Sequence, residues 1–235
     1  MIPPFLDYDQ DMRFLAVITM LVLLIAQPVA AQSFKPDFRA GMDAYGRNDY
    51  ATALKHWRPL AEQGHAKAQY FLGLMHANGQ GVTRDYKEAV RWYRMAAKQG
   101  NRAAQFWLGS VYHHGQGVAK NDKEAVRWWR MAGDKGHARA QYFLGLMYQN
   151  GQGVTQDDAE AVRWFRLAAK QGRAHVQVFL GEMYRDGLGV VQDLVMAYVW
   201  YSVSIANGSN WPPENRDKIL ARLNSSARKL ALELS

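Results

Sequence analysis

Apolar, small and polar positions recur along the chain with a period of 36 residues. The segments that end at Val82, Val118, Val154 and Val190 read LGLMHANGQGV, LGSVYHHGQGV, LGLMYQNGQGV and LGEMYRDGLGV. A fixed period of this length is typical of a repeat architecture. In each copy, apolar residues fall at helical spacing on both sides of a glycine-rich turn. The pattern therefore predicts that each repeat is a hairpin of two helices, here called helix A and helix B.

The glycine-rich turn looks like a phosphate-binding loop, but we interpret it as a structural device. Gly79 is expected to end helix A in the left-handed conformation. Asp85 is expected to cap helix B, with Glu88 as the reciprocal half of a capping box. The strand that precedes a phosphate loop is missing. The same device is predicted for the pairs Asn121 with Glu124 and Asp157 with Glu160.

Helix B carries paired aromatic residues on one face and arginines on the other. The rings are predicted to fill the gap to the next repeat, although an aromatic ligand cage is an alternative. Gly73 is expected to let the two helices approach closely. The rings are Trp92, Tyr93, Trp128, Trp129, Trp164 and Phe165. The arginines are predicted to be solvated and to pair with glutamates three residues earlier in the sequence. They include Arg91, Arg127 and Arg163.

Residues 1–31 are predicted to be a secretory signal peptide. An apolar run of thirteen residues follows Arg13, and Val29 and Ala31 are the small residues before the expected cleavage site. The run is shorter than the roughly 20 residues that span a membrane, so no stable membrane span is expected after cleavage. The leading MIPPFLDYDQD holds three aspartates and no basic residue, which makes Met12 an alternative translation start.

The rest of the chain divides into hairpins and a terminal cap. Residues 32–64 are predicted to form a first hairpin, residues 65–100, 101–136, 137–172 and 173–208 the four repeats, and residues 209–235 one or two capping helices. The predicted fold class is an all-α, right-handed α-solenoid with a C-terminal helical cap. The apolar face of the cap is expected to include Ile219, Leu220, Leu223, Leu230 and Leu234, with Val191, Leu194 and Val195 of the last hairpin in contact with it.

The pattern A-x-A-Q-Y-x-L-G-x-M-Y-x-x-G-x-G-V, continued by D-x-x-x-A-x-x-W-Y-x-x-A-A-x-x-G, is similar to the consensus of the Sel-one-like repeat family, a branch of the tetratricopeptide superfamily. The resemblance covers residues 65–208, and Phe38–Gly64 resembles a hairpin with the shorter tetratricopeptide turn. It implies a solenoid whose A helices line a concave groove. Members of the family act as adaptors or regulators in the bacterial envelope, and some are described as binding or hydrolysing β-lactams.

Charge and composition narrow the function classes. The chain has a net charge of +8, and removal of residues 1–31 takes away one basic and three acidic residues, which leaves 28 basic against 18 acidic. An exported basic protein is expected to meet acidic proteins or anionic envelope polymers rather than nucleic acid. The chain has no cysteine, which excludes disulfides, lipoprotein acylation and thiol catalysis.

Few residues suggest catalysis or metal binding. One S-x-x-K motif joins Ser226 to Lys229, but the partner motifs of β-lactamases are missing. The adjacent His113 and His114 would point about 100° apart on a helix, which is unsuited to one metal ion. His65 and His137 are interpreted as surface residues near helix starts. We therefore predict no catalytic residue, no metal site and no cofactor.

Positions that differ between repeats are the ones free to carry function. On helix A, the resemblance places these columns and the tyrosine column in the concave groove. They favour a non-catalytic scaffold or adaptor that holds a protein or peptide in this groove. We expect it to act in the bacterial cell envelope, as a periplasmic or secreted protein. Packing between neighbouring helices is the alternative interpretation of the tyrosine column, and a cell-wall or β-lactam hydrolase is the alternative function. The predicted groove residues are Lys67, Tyr70, Leu74, Phe106, Ser110, His113, His114, Arg139, Tyr142, Leu146, Gln149, His175, Glu182 and Arg185.

The spacing of Val29 and Ala31 predicts a mature protein that begins at Gln32. Intact mass spectrometry of the protein recovered from periplasm or medium checks the site. A recovered protein that still contains residues 14–31 would contradict the signal peptide.

Overall fold

The computed structural model describes residues 34–235, of which Pro36–Ser235 form one compact unit. The described residues contain helices and no strand, which confirms the all-helical solenoid; the predicted signal peptide lies outside them. No helix within residues 34–235 is long and apolar enough to cross a membrane. The helices are α1 Phe38–Gly46, α2 Tyr50–Glu62, α3 Ala66–Asn78, α4 Tyr86–Lys98, α5 Arg102–His114, α6 Asp122–Asp134, α7 Ala138–Asn150, α8 Asp158–Ala169, α9 Ala174–Asp186, α10 Leu194–Ala206, α11 Pro213–Arg222 and α12 Ser225–Leu234.

Helices α1 to α10 alternate as A and B helices of five hairpins. Each A helix packs against the B helix that follows it, and each B helix packs against the next A helix. Helices α11 and α12 both pack against α10 and so cover the last hairpin. Because each hairpin is buried by its neighbours, the core is a continuous layer along the chain rather than one centre.

Every hairpin closes on a contact between a glycine of helix A and an aromatic ring of helix B. A Cβ atom added to Gly145 would lie 2.4 Å from Cε1 of Phe165, and one added to Gly73 would lie 2.5 Å from the ring of Tyr93. All the rings predicted as core are buried, which confirms that interpretation. The other contacts of this kind are Gly41 with Trp57, Gly109 with Trp129 and Gly181 with Tyr201.

The turn between the helices is capped at both ends, but the capping box is only half formed. Gly79 ends α3 at φ 70°, and the Asp85 side chain accepts the backbone N–H groups of the first turn of α4, as predicted. The prediction for Glu88 is wrong, because the Asp85 N–H donates to the carbonyl of His76 at 2.9 Å. Helix A already supplies that acceptor, so Glu88 is free to bind Arg91. The matching backbone bonds join Asn121 to Tyr112, Asp157 to Tyr148 and Asp193 to Tyr184.

A buried glutamine in each of the A helices α3, α5, α7 and α9 connects its hairpin to the preceding one. Gln69 donates its amide to the carbonyl of Ala61 at 2.9 Å and accepts a bond from Gln99 at 2.7 Å. Gln105 makes the first bond, but its buried Oε1 has no partner among the described residues, because Lys135 stands where the second glutamine would be. The equivalent first bonds are Gln105 to Ala97, Gln141 to Gly133 and Gln177 to Ala169.

The outer face of the B helices carries the predicted arginines. Arg91 is exposed, lies 2.6 Å from Glu88 and stacks over the ring of Trp92 at 4.2 Å. Arg94 reaches across to the next hairpin and donates to the hydroxyl of Tyr112 at 2.7 Å. Glutamate pairing of Arg91, Arg127 and Arg163 is confirmed at distances of 2.6, 3.3 and 2.6 Å.

The C-terminal cap forms, but with a smaller apolar face than predicted. Ile219 is buried, and Leu194, Val195, Leu220 and Leu223 pack around it as expected. The prediction is wrong for the other three residues, since Leu230, Leu234 and Val191 are 47%, 53% and 88% exposed. Helix α12 instead buries the small residue Ala231, and Trp211 stacks on Tyr201 with ring centroids 4.1 Å apart.

The substitution Gly145→Ala should lower the free energy of unfolding by about 1–3 kcal/mol, because the added methyl group overlaps the Phe165 ring. Gly46→Ala is the matched control, since a Cβ there meets nothing within 4 Å. Urea denaturation of both variants checks the expectation. Equal midpoints would mean that the glycine contact does not limit the approach of the helices.

Candidate binding groove

Three connected cavities lie along the A helices of the first four hairpins. The apolar cavity, of about 450 Å³, is lined by Phe38, Met42 and Phe71 among others. The arginine cavity follows it, with a volume of about 370 Å³, and the aromatic cavity comes next, with about 360 Å³. The apolar and arginine cavities share Tyr70, Arg102 and Ala103, and the arginine and aromatic cavities share Phe106, Trp107 and Arg139.

Six of the predicted groove residues line these cavities. Tyr70 is half-buried, and burial raises the pKa of its hydroxyl. Phe106 is only 4% exposed and stacks on His137, so most of this ring belongs to the core. Ser110 is also buried and donates to the carbonyl of Phe106 at 3.2 Å. The six are Lys67, Tyr70, Phe106, Ser110, His114 and Arg139.

The other predicted residues lie outside the three cavities. His113 binds the carboxylate of Asp122 at 2.7 Å, which ties it to helix α6. Leu74, Tyr142 and Leu146 pack as half-buried residues against the core. Gln149 is half-buried as well, and exposed His175 meets the edge of the Tyr142 ring, with centroids 5.0 Å apart.

Glu182 and Arg185 belong to the last hairpin and lie apart from the groove cavities. Arg185 binds the neighbouring Asp186 at 2.6 Å, and this bond holds the pKa of the Asp186 carboxyl low. Burial raises the pKa of Glu182. These charges therefore interact mainly within their own hairpin.

Several groove residues were missed by the comparison of repeats. Trp107 and Phe143 line the aromatic cavity, and they belong to a column that is aromatic in every repeat, with Phe71 and Phe179. Variation between repeats gives no signal at a column that is aromatic in every repeat. Arg102, His137 and Arg173, which line the arginine cavity, stand at the starts of A helices outside the columns that were compared.

His65 and His137 are helix caps. Each accepts a backbone N–H through Nδ1, at 3.1 Å from Ala68 and 3.3 Å from Ala140. His65 is exposed, as predicted, but the surface interpretation is wrong for His137, which is half-buried beside Phe106.

Burial lowers the pKa of His137 to about 4, and three arginines add to this effect. They are Arg102, Arg139 and Arg173, each of which repels a proton on the imidazole. Because Nδ1 accepts the bond from Ala140, the neutral ring carries its proton on Nε2. The arginine cavity thus combines fixed positive charge with a neutral N–H donor.

The residues considered for chemistry are dispersed. Within residues 34–235 no three His, Asp or Glu side chains are grouped as metal ligands would be. The His113 and His114 rings meet at 85° with centroids 4.9 Å apart. Ser226 is exposed on α12, and Lys229 is exposed and 3.9 Å from Glu233.

Comparison with known proteins gives a consistent picture. The family model described as Sel1 repeat matches residues 39–65, 66–101, 102–137, 138–172 and 174–209. A Sel1 repeat protein from Oxalobacter formigenes has a similar crystal structure, with a TM-score of 0.70 and 27% identity over 85% of this chain and 86% of that one. No match was found among curated proteins.

A second similar structure is c5321, a protective antigen present in uropathogenic Escherichia coli strains and displaying an SLR fold. Its TM-score is 0.50 at 30% identity, over 85% of this chain. The match covers 52% of c5321, about half the length of that protein.

The low pKa of His137 predicts that acid destabilises the fold. The unfolded chain takes up a proton near pH 6.5 and the folded chain only near pH 4, so stability falls as the pH drops between these values. His137→Asn keeps a capping side chain, since Asn101 occupies the same place one repeat earlier. Between pH 7 and pH 5 the free energy of unfolding should therefore fall by about 1 kcal/mol more in the parent than in the variant. This value is smaller than the full pKa difference implies, because solvent reaches the half-buried ring and screens its charge.

Urea denaturation at both pH values measures the difference. His76 and His175, whose pKa values burial also lowers, are common to both proteins and cancel. Equal losses in parent and variant would show that His137 is protonated as readily in the folded as in the unfolded chain.

Proposed function

The chain belongs to the Sel1 repeat family, whose members generally mediate protein–protein interactions, and we propose that it is a non-catalytic scaffold that holds a peptide or protein partner in the groove of its A helices. The proposal rests on one observation, the row of three connected cavities along α1, α3, α5 and α7. A row of this kind suits an extended ligand better than a compact small molecule.

The lining of the groove supports a protein ligand. Trp107, Tyr70 and Phe143 are half-buried, so they offer ring surface to a partner while their other side is fixed by the core. Aromatic and arginine side chains are the residues that dominate binding energy at protein interfaces. Arg139, which lines two of the cavities, supplies the second type.

We place this activity in the bacterial cell envelope, periplasmic or secreted. The support is the signal peptide predicted for residues 1–31 and the basic balance of the remaining chain. An anionic envelope polymer is a further candidate ligand for such a chain.

The hydrolase alternative has weaker support. Ser226 and Lys229 are both exposed on α12, and neither lines the groove cavities. A nucleophilic serine needs an adjacent base that is itself held in place. We therefore expect no turnover of nitrocefin or peptidoglycan by the purified protein.

The groove should form cross-links to a partner when a photoreactive amino acid replaces one of its exposed residues. Lys67 lines the apolar cavity and His114 the aromatic cavity, whereas the control residue, Lys98, is exposed on helix B. Irradiation in envelope extract should give the same cross-linked partner from Lys67 and His114, detected by mass spectrometry. Cross-links from Lys98 alone would place the working surface on the B helices and contradict the proposal.

A further inference from the structure

The arginine cavity concentrates positive charge in the middle of the groove. Arg102, Arg139 and Arg173 come from the starts of three successive A helices, α5, α7 and α9, and all three line this one cavity. The Arg102 side chain donates to the carbonyl of Lys135 at 3.2 Å. Arg139 and Arg173 make no side-chain hydrogen bond or ion pair with any residue in 34–235, so their guanidinium groups remain available to a ligand.

Among the residues in 34–235 that line this cavity, none is an aspartate or a glutamate. None of the A helices α3, α5, α7 and α9 has an acidic residue in its first turn, whereas α4, α6 and α8 each do. The outer arginines differ in this respect, since Arg91, Arg127 and Arg163 each bind a glutamate. Unpaired guanidinium groups that converge on a partly enclosed cavity favour an anionic guest, and their planar forks suit carboxylates.

The surroundings of the cavity indicate which anion. On one side lies the apolar cavity with Met42 and Phe71, and on the other the aromatic cavity with Trp107 and Phe143. A uniformly charged polysaccharide would leave these apolar walls without a complementary group. A peptide can place a carboxylate between apolar side chains and so fill all three cavities.

We propose that the cavity between Arg102, Arg139 and Arg173 anchors an aspartate or glutamate of an extended peptide segment in the partner, with apolar residues of that segment on both sides. This inference rests on the proposed function and names the chemistry of its ligand. The arginines fix the register of the segment, and the flanking cavities select its apolar residues. The Nε2–H of neutral His137 is a further donor at the same cavity.

The test uses random twelve-residue peptides displayed on phage and selected against the immobilised protein. Selection on the parent should enrich peptides that carry an acidic residue flanked by apolar ones. Selection on the double variant Arg139→Gln with Arg173→Gln should lose the acidic preference while keeping the apolar one. Arg127→Gln with Arg163→Gln removes the same charge from the outer face and should leave both preferences unchanged.

Calorimetric titration then measures one selected peptide and its version with the acid changed to the amide. The acidic peptide should bind the groove variant at least tenfold more weakly than the parent, and the amide peptide should bind both alike. Circular dichroism melts confirm that the variants are folded. The side chains of Arg139 and Arg173 make no hydrogen bond within the described residues that the change would break.

Three results would overturn the proposal. These are enrichment without an acidic residue, failure to enrich any peptide, and an acidic preference that is lost only in the outer-face variant. Alginate, an anionic polysaccharide, should bind weakly and with equal affinity to the two double variants. The cavity would instead recognise a polymer if alginate bound the parent as tightly as the peptide does and lost affinity only in the groove variant. If groove cross-linking succeeds while the changes at Arg139 and Arg173 alter neither peptide selection nor affinity, the proposed function stands and only this inference fails.

Discussion

The contact between a glycine of helix A and an aromatic ring of helix B is the constraint on which the rest of the structure depends. Five such contacts, from Gly41 with Trp57 to Gly181 with Tyr201, set how closely the helices of each hairpin approach. A bulky ring requires a partner without a side chain, since packed interiors tolerate little overlap. Because a glycine faces an aromatic ring in each hairpin, the two helices approach closely every time, and the hairpins can stack as a solenoid.

The groove follows from this arrangement. Stacking by way of the buried glutamines, such as Gln69, which donates to the Ala61 carbonyl of the preceding hairpin, brings successive A helices side by side. Residues at the starts of these helices then meet at one edge, although they are distant in the sequence. Arg102 and Arg173 are 71 positions apart by their numbering and line the same cavity. The charge of the groove is therefore produced by the stacking, while its apolar walls come from the aromatic column that includes Trp107 and Phe143.

Much of the fold could be predicted from the sequence, because its signals are local and repeated. Glycine at the end of helix A and aspartate before helix B act within one hairpin, and the paired rings of helix B recur at the same positions in the four repeats. The errors arose where a tertiary contact replaced a local one. Asp85 bonds to the carbonyl of His76 rather than to Glu88, and α12 turns Ala231 rather than Leu230 toward the core.

The candidate site was less accessible to sequence reasoning. Six of the predicted residues line the cavities, whereas Leu74 and His113, which stand on the same helices α3 and α5, do not. Phe106 is mainly a core residue, whereas Tyr70 is half-buried. The two occupy the same column of the repeat, so comparing the repeats does not distinguish them. The arginines at the helix starts were missed since the sequence does not show that three helix starts converge.

Hydrogen exchange of the protein alone and with its captured partner tests the central claim most directly. The account predicts slower exchange of backbone amides in α3, α5 and α7, which line the cavities, with α4, α6 and α8 unchanged. Protection confined to α4, α6 and α8 would contradict it, because the partner would then lie on the B helices.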